Sequence, residues 1–386
     1  MQISKHLQAT QPSYIREILA AATAEGVISL AGGLPAQDSF PLPLMAQAIT
    51  QLPQQPELFQ YGETAGYPLL VDYFKDHYQL TSDHQALITT GSQQGLDLIA
   101  RAFLNAGDGV AMEAPSYLGA LQVFALAQAN IVSIAQQQDG PDLEALETSF
   151  ASGKVKVFYA VPDFHNPTGI SWSLEVRQQV AKLCRKYGVG LIEDAPYRSL
   201  RFARTGLSSF PSLPMVSSFC PEQALILRSF SKIATPGMRV GLVTGPEDWI
   251  KPLVKVKQAS DLHSSLPMQA VLLKLLTHPQ FPEHVDNICQ LYKKRHDILA
   301  AALHEYCGDK AHFEKVEGGM FMWIKIPNQI PMNIAKQALK QGVAVVPSEV
   351  FYHDSKLAEP ALRLNFSHAS PADLIAAAER LGSVLS

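Results

Sequence analysis

Short apolar runs alternate along the chain with longer segments whose apolar residues recur every three or four positions. The short runs predict buried β-strands, and the longer segments predict amphipathic helices. The predicted strands cover residues 86–89, 110–113, 131–134, 156–161, 190–193, 224–227 and 240–243. The predicted helices cover residues 93–104, 118–127 and 174–187, and Gly188 is placed to end the last of them. This alternation indicates an α/β fold with a mostly parallel sheet covered by helices on both faces.

The pattern changes near residue 280. A long charged helix is predicted at residues 283–306, followed by strands near 320–326 and 362–366. We therefore expect a large domain at residues 40–280 and a smaller α+β domain built from residues 1–39 and 281–386. In the last strand, alternation places Arg363 on one face with Asn365 and Ser367, and the apolar residues on the other.

The loop between the two predicted strands at 224–227 and 240–243 carries the most informative chemistry. It contains Ser229, Ser231, Lys232 and Arg239. A lysine between core strands can be desolvated, which lowers its pKa and leaves a free amine able to attack an aldehyde. Hydroxyl groups and a guanidinium suit a phosphate monoester. Pyridoxal phosphate carries both an aldehyde and a phosphate, although an ordinary surface loop has a similar composition.

Polar groups also follow four other predicted strands, where ligands gather in parallel sheets. Ser92 lies in a glycine turn before a helix, which is a phosphate site or only a helix cap. Asn166 precedes a proline turn and could donate to a ring oxygen. Asp194 could pair with a protonated ring nitrogen or cap a helix, and Tyr197 could donate to the ring oxygen. Tyr117 could lie against a flat cofactor or pack in the core.

Composition narrows the alternatives. Hydrophobic residues make up 47% of the 386 residues, enough for a large core, and no long apolar run predicts a membrane span. The net charge of −4 gives no basic footprint for nucleic acid. The four cysteines form no CxxC pair, and the histidines show no ligand spacing, so we expect no metal site. We expect a cytoplasmic protein without nucleic-acid or membrane partners.

Taken in order, these motifs resemble those of the fold-type I, pyridoxal-phosphate-dependent aminotransferases of class I/II. The motifs are Gly91-Ser92-Gln93, Pro115-Ser116-Tyr117, Asn166-Pro167-Thr168-Gly169, Asp194-x-x-Tyr197, Ser229-x-Ser231-Lys232 and Arg239. Within the family, the chain is most similar to the 2-aminoadipate and kynurenine aminotransferase II group. That similarity rests on residues 14–19, 31–35, 60–62 and 162–169.

The resemblance implies a role for each matching residue. Lys232 matches the lysine that binds the cofactor covalently and later moves the proton, and Asp194 matches the partner of the ring nitrogen. Asn166 and Tyr197 match the donors to the ring hydroxyl, and Tyr117 matches the stacking aromatic. The residues matching the phosphate cradle are Ser92, Gln93, Ser229, Ser231 and Arg239.

Other matches concern the substrate and a partner subunit. Arg363 matches the arginine that binds the substrate α-carboxylate, with Asn166 beside it, and Gly33 matches a position next to the substrate. Arg16 matches an arginine that can meet a distal carboxylate, although a solvated helix charge is equally compatible. Tyr61 matches a tyrosine that reaches the phosphate of the neighbouring subunit, which implies a homodimer with shared sites.

The implied reaction moves an amino group from an L-amino acid to a 2-oxo acid, with 2-oxoglutarate as the expected acceptor and a ping-pong mechanism. Ala195, His165 and Ser348 depart from residues frequent in the family. A C–S lyase or a decarboxylase on the same fold remains an alternative, because the cofactor residues do not distinguish these reactions. A ligand-binding domain of a transcription regulator is a less favoured one. The absence of a GxGxxG motif after the first strand argues against a nicotinamide-dependent dehydrogenase.

Overall fold

The computed structural model describes residues 1–4, 7, 25–202 and 212–385. Its centre is an eight-stranded sheet in the order β2-β9-β8-β7-β6-β3-β4-β5. The strands are β2 (His84–Thr89), β3 (Gly109–Ala114), β4 (Asn130–Gln137), β5 (Gly140–Pro141), β6 (Val155–Ala160), β7 (Gly190–Asp194), β8 (Ala224–Ser229) and β9 (Gly241–Pro246). Neighbours from β4 to β8 run parallel, whereas β9 is antiparallel to both β2 and β8. The predicted mostly parallel sheet is therefore confirmed.

Helices cover both faces of this sheet. They are α1 (Leu42–Thr50), α2 (Pro68–His77), α3 (Ser92–Phe103), α4 (Leu118–Leu126), α5 (Leu143–Ala151), α6 (Leu174–Tyr187), α7 (Glu247–Ser260) and α8 (Leu266–Leu276). Alternate residues of one strand face opposite layers: Val157 packs in the core with α3 and α4, whereas Phe158 packs with α5 and α6. Gly188 ends α6 in the left-handed conformation with φ of 65°, as the sequence predicts.

The C-terminal part forms a second layer system. It contains α9 (Phe281–Cys307), β10 (Phe321–Lys325), α10 (Pro331–Lys340), β11 (Val343–Ala344), β12 (Val346–Pro347), β13 (Ala361–Asn365) and α11 (Pro371–Val384). Strand β13 is central in a three-stranded antiparallel sheet. The short strand β1 (Ile28–Ser29) pairs with β11, so the chain near residue 28 joins this part. The division into residues 40–280 and residues 1–39 with 281–386 stays a prediction.

This arrangement brings the predicted polar motifs to one edge of the large sheet. Strands β6, β7 and β8 are adjacent and parallel, so their carboxyl ends meet there. The loop that carries Lys232 joins the end of β8 to the start of β9. Among the residues the structure describes, no helix is both long enough and apolar enough to cross a membrane.

Candidate active site

One cavity at this edge gathers most of the predicted cofactor residues. Its lining includes Ser92, Gln93, Tyr117, Asn166, Asp194, Tyr197, Ser229, Ser231, Lys232 and Arg239. These residues come from separate loops and helix starts. They lie close together because the carboxyl ends of adjacent parallel strands are at the same edge of the sheet. The motifs that the sequence placed at strand ends are thus neighbours in space.

Lys232 lies in the turn after β8 and reaches toward the N-terminal segment. Its Nζ donates a hydrogen bond to the carbonyl oxygen of Gly33 at 2.9 Å. Burial lowers the pKa of Lys232 to about 8, and the nearby positive charges of Arg239 and Arg363 act in the same direction. A larger fraction of this amine is therefore uncharged near neutral pH than for an exposed lysine, which suits attack on an aldehyde.

Asp194 is the last residue of β7 and is buried. Its Oδ2 accepts a hydrogen bond from the Tyr159 hydroxyl at 2.8 Å. Its Oδ1 has no partner among the described residues. Burial raises the pKa of Asp194 to about 7, although the hydrogen bond from Tyr159 opposes this shift. A buried carboxylate oxygen without a donor is costly, and a protonated ring nitrogen in the cavity would satisfy it.

Arg363, Asn166 and Tyr197 form a connected set on the substrate side. The Arg363 Nη1 donates to Asn166 Oδ1 at 3.0 Å, and Asn166 Nδ2 donates to the Tyr197 hydroxyl at 3.4 Å. The Arg363 Nη2 donates to the carbonyl of Ala31. Its Nε has no partner among the described residues. The guanidinium therefore retains donor capacity for a carboxylate.

The polar face of β13 is enclosed rather than solvated. Arg363 is 6% exposed, and its guanidinium carbon lies 4.4 Å from the Phe321 ring centre and 5.0 Å from that of Phe351. Two aromatic faces stabilise the charge where water is excluded. Burial lowers the pKa of Arg363 to about 10, so it stays charged at neutral pH.

The opposite end of the cavity is built for an anion. Helix α3 begins at Ser92, directly after Gly91 with φ of 80°. A Cβ atom at Gly91 would meet Arg239 Nη2 at 2.8 Å, so the backbone approaches the guanidinium closely. The Arg239 Nη2 donates to the carbonyl of Thr90 at 3.3 Å. Free N–H groups at a helix start beside an arginine suit phosphate. Ser229 and Ser231 face the same cavity.

Tyr117 and Gln93 are coupled near this end. The Tyr117 hydroxyl donates to Gln93 Oε1 at 3.1 Å, and Gln93 Nε2 donates to the carbonyl of Gly119 at 3.1 Å. These bonds fix the Tyr117 ring along the cavity wall. Burial raises the pKa of Tyr117 to about 12, so it remains a neutral donor.

Arg363, Gly33 and Tyr61 are not among the residues that line the cavity, although Arg363 bonds to Asn166, which is one of them. Gly33 contributes only its carbonyl, through the contact with Lys232. Tyr61 is 78% exposed, with its ring edge-on to His263 at 6.0 Å between centres. Arg16 lies outside the described residues. Sequence reasoning also missed Tyr159, whose hydroxyl contacts Asp194; its only signal was an aromatic hydroxyl near the end of an apolar strand.

The residues present fit pyridoxal phosphate. A lysine with a lowered pKa, an unpartnered buried carboxylate, two side-chain donors near a ring oxygen position and an anion cradle surround one cavity. Each of these features matches a distinct group of the cofactor. Among the described residues, no group of histidine, cysteine or acidic side chains could hold a metal ion.

Comparisons with known proteins agree with this chemistry. The family Aminotransferase class I and II matches residues 25–381. The chain is 33% identical to aromatic-amino-acid aminotransferase 1 of Thermococcus litoralis, covering 97% of this chain and 91% of the relative. It is 32% identical to 2-aminoadipate transaminase of Thermus thermophilus, covering 97% and 94%. The structure of a Pyrococcus horikoshii kynurenine aminotransferase superposes with a TM-score of 0.93 at 32% identity, covering 99% and 96%.

The family match and the relatives confirm the predicted fold type, cofactor and resemblance to the aminoadipate and kynurenine group. The predicted reaction class is confirmed with them. The chain therefore belongs to the class I and II aminotransferases and is a pyridoxal-phosphate-dependent aminotransferase.

Proposed function

We propose that the cavity beside Lys232 is the active site, where an amino group passes from an L-amino acid to a 2-oxo acid, with 2-oxoglutarate as an acceptor. The observation that carries this proposal is the pairing of two perturbed groups in one cavity. The lysine has a lowered pKa, and the Asp194 carboxylate has one oxygen without a partner among the described residues. Perturbed titratable groups in a cleft are typical of catalytic sites.

Different residues of the cavity would bind different groups of the cofactor. Ser92, Gln93, Ser229, Ser231 and Arg239 would hold the phosphate. Asp194 would accept the ring N–H, while Asn166 and Tyr197 would donate to the ring oxygen. Tyr117 would lie against the ring. When bound, pyridoxal phosphate supplies an aldehyde carbon that takes the amino group and a protonated ring that accepts the electron pair released at the substrate α-carbon.

The chain supplies positioning and proton transfer. Lys232 would hold the cofactor covalently at rest, through its amine, until an amino acid substrate replaced that amine. The Lys232 amine would then be free to take the proton from the substrate α-carbon and to return it on the cofactor side. An ionised Asp194 would accept the ring N–H and keep the ring protonated. Because the first product leaves before the second substrate binds at Arg363, the kinetics are ping-pong.

Substrate choice begins at Arg363. Its side chain would bind the α-carboxylate of every substrate, since the guanidinium is fixed by Asn166 and by the carbonyl of Ala31. We propose aromatic L-amino acids and 2-aminoadipate as donors, which the names of the two relatives support. Arg16 would meet a distal carboxylate when the donor is acidic. Gly33 would lie beside the substrate, next to the Lys232 amine.

The active unit in this proposal is a homodimer. Tyr61 is exposed, and so are other large apolar side chains, among them Phe59 (63% exposed), Leu69 (58%) and Leu262 (40%). Exposed aromatic and aliphatic side chains favour an interface with a second copy. Tyr61 of one subunit would then reach the phosphate of the other. We also propose a cytoplasmic location, in keeping with the four free, buried cysteines.

The reaction is tested by a panel of amino donors mixed with the purified enzyme in the absence of an acceptor. We expect glutamate, 2-aminoadipate and aromatic donors to convert the bound cofactor to pyridoxamine phosphate, followed by absorbance, with release of the matching 2-oxo acid. Adding 2-oxoglutarate should restore the original spectrum. Release of ammonia and pyruvate from a sulfur-containing donor, without pyridoxamine phosphate, would instead support a lyase.

The shared site is tested by complementation. Tyr61→Phe combined with a second disabling change, and Lys232→Ala, are each inactive alone. If each site uses residues of both subunits, mixing the two should restore part of the activity. Full activity of a protein shown to be a monomer would contradict the homodimer.

A further inference from the structure

A second lysine, Lys257, is buried within the fold beyond the cavity lining. It lies in the last turn of α7, and its relative exposure is 0%. Its Nζ donates to both oxygens of Asp261 at 2.9 and 3.0 Å, to Ser264 Oγ at 3.0 Å and to Gln94 Oε1 at 2.9 Å. Lysine is almost never fully buried unless it is paired, so this position requires an explanation.

The contacts of Lys257 lead directly to the turn at the start of α3. Gln94 Oε1 also accepts from the backbone N–H of Thr90 at 2.7 Å, while Gln94 Nε2 donates to Asp261 Oδ2 at 2.7 Å. The Thr90 hydroxyl lies 2.9 Å from Ser264 Oγ. Thr90 is the residue whose carbonyl accepts from Arg239. One lysine thus fixes both the side chain of Gln94 and, through it, the backbone entering the anion cradle.

The charge of Lys257 has a second consequence. Burial lowers the pKa of Lys257, and the hydrogen bonds that it donates to Asp261 oppose that shift. For Asp261, burial raises the pKa, but hydrogen bonds from Gln94 and Lys257 outweigh this and the net pKa is lowered. The two therefore form an ion pair. Without the lysine, the Asp261 carboxylate would stand unneutralised behind a turn that has to receive an anion.

An apolar side chain would fill the same space in the core without a desolvation cost. It would leave Gln94 Oε1 with one donor instead of two, so only the Thr90 N–H and Asp261 Oδ2 would hold the amide. The acceptor of the Thr90 N–H would then be fixed less firmly. A buried lysine is therefore better explained by the geometry it imposes than by its contribution to packing.

We propose that Lys257 is a positioning residue for the phosphate of the cofactor, acting through Gln94 and Thr90 on the turn of residues 91–93. This inference rests on the proposed function, in which that turn binds the phosphate. Lys257 touches neither cofactor nor substrate. Its effect is to hold the N–H groups at the start of α3 in the direction that an anion needs, and to neutralise Asp261 behind them.

The test compares two ligands that differ only in the phosphate: pyridoxamine 5′-phosphate and pyridoxamine. Both bind without a covalent bond to Lys232. Their affinities are measured by calorimetry on full-length protein from which the cofactor has been removed. We expect Lys257→Met to weaken pyridoxamine phosphate about 10- to 100-fold, the range for losing hydrogen bonds to a charged group, and to leave pyridoxamine almost unchanged.

The control is Lys251→Met on the same helix. Lys251 is exposed, and its one ion pair among the described residues is with Glu247 at 3.0 Å, so neither affinity should change. Lys257→Met is also introduced into a Gln94→Ala background. If the lysine acts through Gln94, Lys257→Met should cause a clearly smaller loss in this background than in the wild type, because only the neutralisation of Asp261 is left to lose. A full additional loss in that background would overturn the proposed route.

Other outcomes are equally decisive. An equal loss for both ligands, or no loss for either, would show that Lys257 serves only the fold and would overturn the proposal. If Lys257→Met fails to fold, Gln94→Ala alone tests the proposal. Selective weakening of pyridoxamine phosphate binding would support it, and equal or no weakening of the two ligands would overturn it. Arg239→Ala is the reference for the phosphate site itself. If it leaves the phosphate preference intact, the proposed cradle is wrong, whereas a selective loss in Arg239→Ala but not in Lys257→Met rejects only the role of Lys257.

Discussion

Glu193 and Asp194 are neighbours at the end of β7 and both are buried, yet they meet opposite surroundings. Glu193 Oε1 accepts from the backbone N–H of Val216 at 3.0 Å, and Oε2 accepts from that of Ser217 at 2.8 Å. Asp194 faces the cavity and has one oxygen without a partner among the described residues. Side chains alternate along a strand, so these two consecutive residues point to opposite faces of the sheet. The Glu193 carboxylate binds the backbone of a loop, whereas the Asp194 carboxylate faces the cavity and can bind a ligand.

Two buried arginines repeat the contrast. Arg177 uses all three of its nitrogens: Nε donates to the carbonyl of Trp172 at 3.1 Å, Nη1 to that of Pro214 at 3.2 Å, and Nη2 to Asp163 at 2.7 Å. Arg363 leaves Nε without a partner among the described residues. The hydrogen-bonding groups of Glu193 and Arg177 are thus satisfied by the protein itself. The cavity side retains binding capacity, at some cost in stability.

The largest effect should come from the cavity side. Replacing Lys232→Ala removes both the covalent attachment and the proton-transfer group, so we expect turnover to fall by at least about 10²–10⁴-fold, with the fold retained. The measurement is turnover together with thermal unfolding. Borohydride reduction followed by peptide mapping identifies the modified lysine. Lys255→Ala, at an exposed position of α7, is the control, and a label on any lysine other than Lys232 would contradict the assignment.

The comparison of Glu193 and Asp194 predicts opposite effects: a change at Asp194 should lower turnover but not stability, and a change at Glu193 should lower stability but not turnover. Asp194→Asn should lower turnover by about 10²–10³-fold, as for loss of a preorganised electrostatic contact, because the ring would no longer be held protonated. Its stability without cofactor should not fall. Glu193→Gln should lower the free energy of unfolding by about 1–3 kcal/mol, since an amide N–H would face a backbone N–H of Val216 or Ser217.

Both variants are measured by denaturant unfolding of the cofactor-free protein and by turnover at saturating cofactor. For Glu193→Gln we expect the turnover of the folded fraction to stay close to that of the wild type. If Asp194→Asn keeps near-wild-type activity, the role of Asp194 is wrong. If the two variants lose stability equally, the contrast between satisfied and unsatisfied sides fails.

Arg363 tests the cavity side at its substrate end. Arg363→Ala should lower kcat/KM for every amino acid donor. The expected loss of transition-state stabilisation is about 2–5 kcal/mol, because a buried contact between charged groups is lost. Arg16→Ala should weaken only acidic donors such as glutamate or 2-aminoadipate and spare leucine and methionine. An equal loss for both classes in Arg16→Ala would assign it a structural role. If the wild type does not use acidic donors, the proposal that Arg16 binds the distal carboxylate of the substrate is wrong.

The smallest effect concerns pH. Burial lowers the pKa of Lys232 to about 8 in the cofactor-free protein. The amine must be uncharged to capture pyridoxal phosphate, so the capture rate should rise about tenfold per pH unit below that value and level off above it. Stopped-flow absorbance from pH 6 to 10 provides the measurement. A rate that still rises at pH 10 would show that the pKa of Lys232 is not lowered, which would contradict this part of the proposal.

Much of the fold was predictable from local pattern. The strand and helix positions follow from apolar periodicity, and the structure moves most of their ends by only one to three residues; for example, the predicted strand at 156–161 lies at Val155–Ala160. The cofactor followed from motifs that each occupy a strand end. Parallel strands bring those ends together whatever their detailed packing, so a list of strand-end residues is already an approximate description of the cavity.

The sequence by itself determined the α/β sheet, the loop with Lys232 and the order of the cofactor motifs, because all of these are written in short local patterns. Only the tertiary structure decided which groups meet. Tyr159 contacts Asp194 across 35 positions because β6 and β7 are adjacent, and Lys257 contacts Gln94 across 163 because α7 and α3 pack together. It also enclosed Arg363 between two aromatic rings. Such partners depend on sheet order and helix packing, which no local pattern of hydrophobic and polar residues encodes.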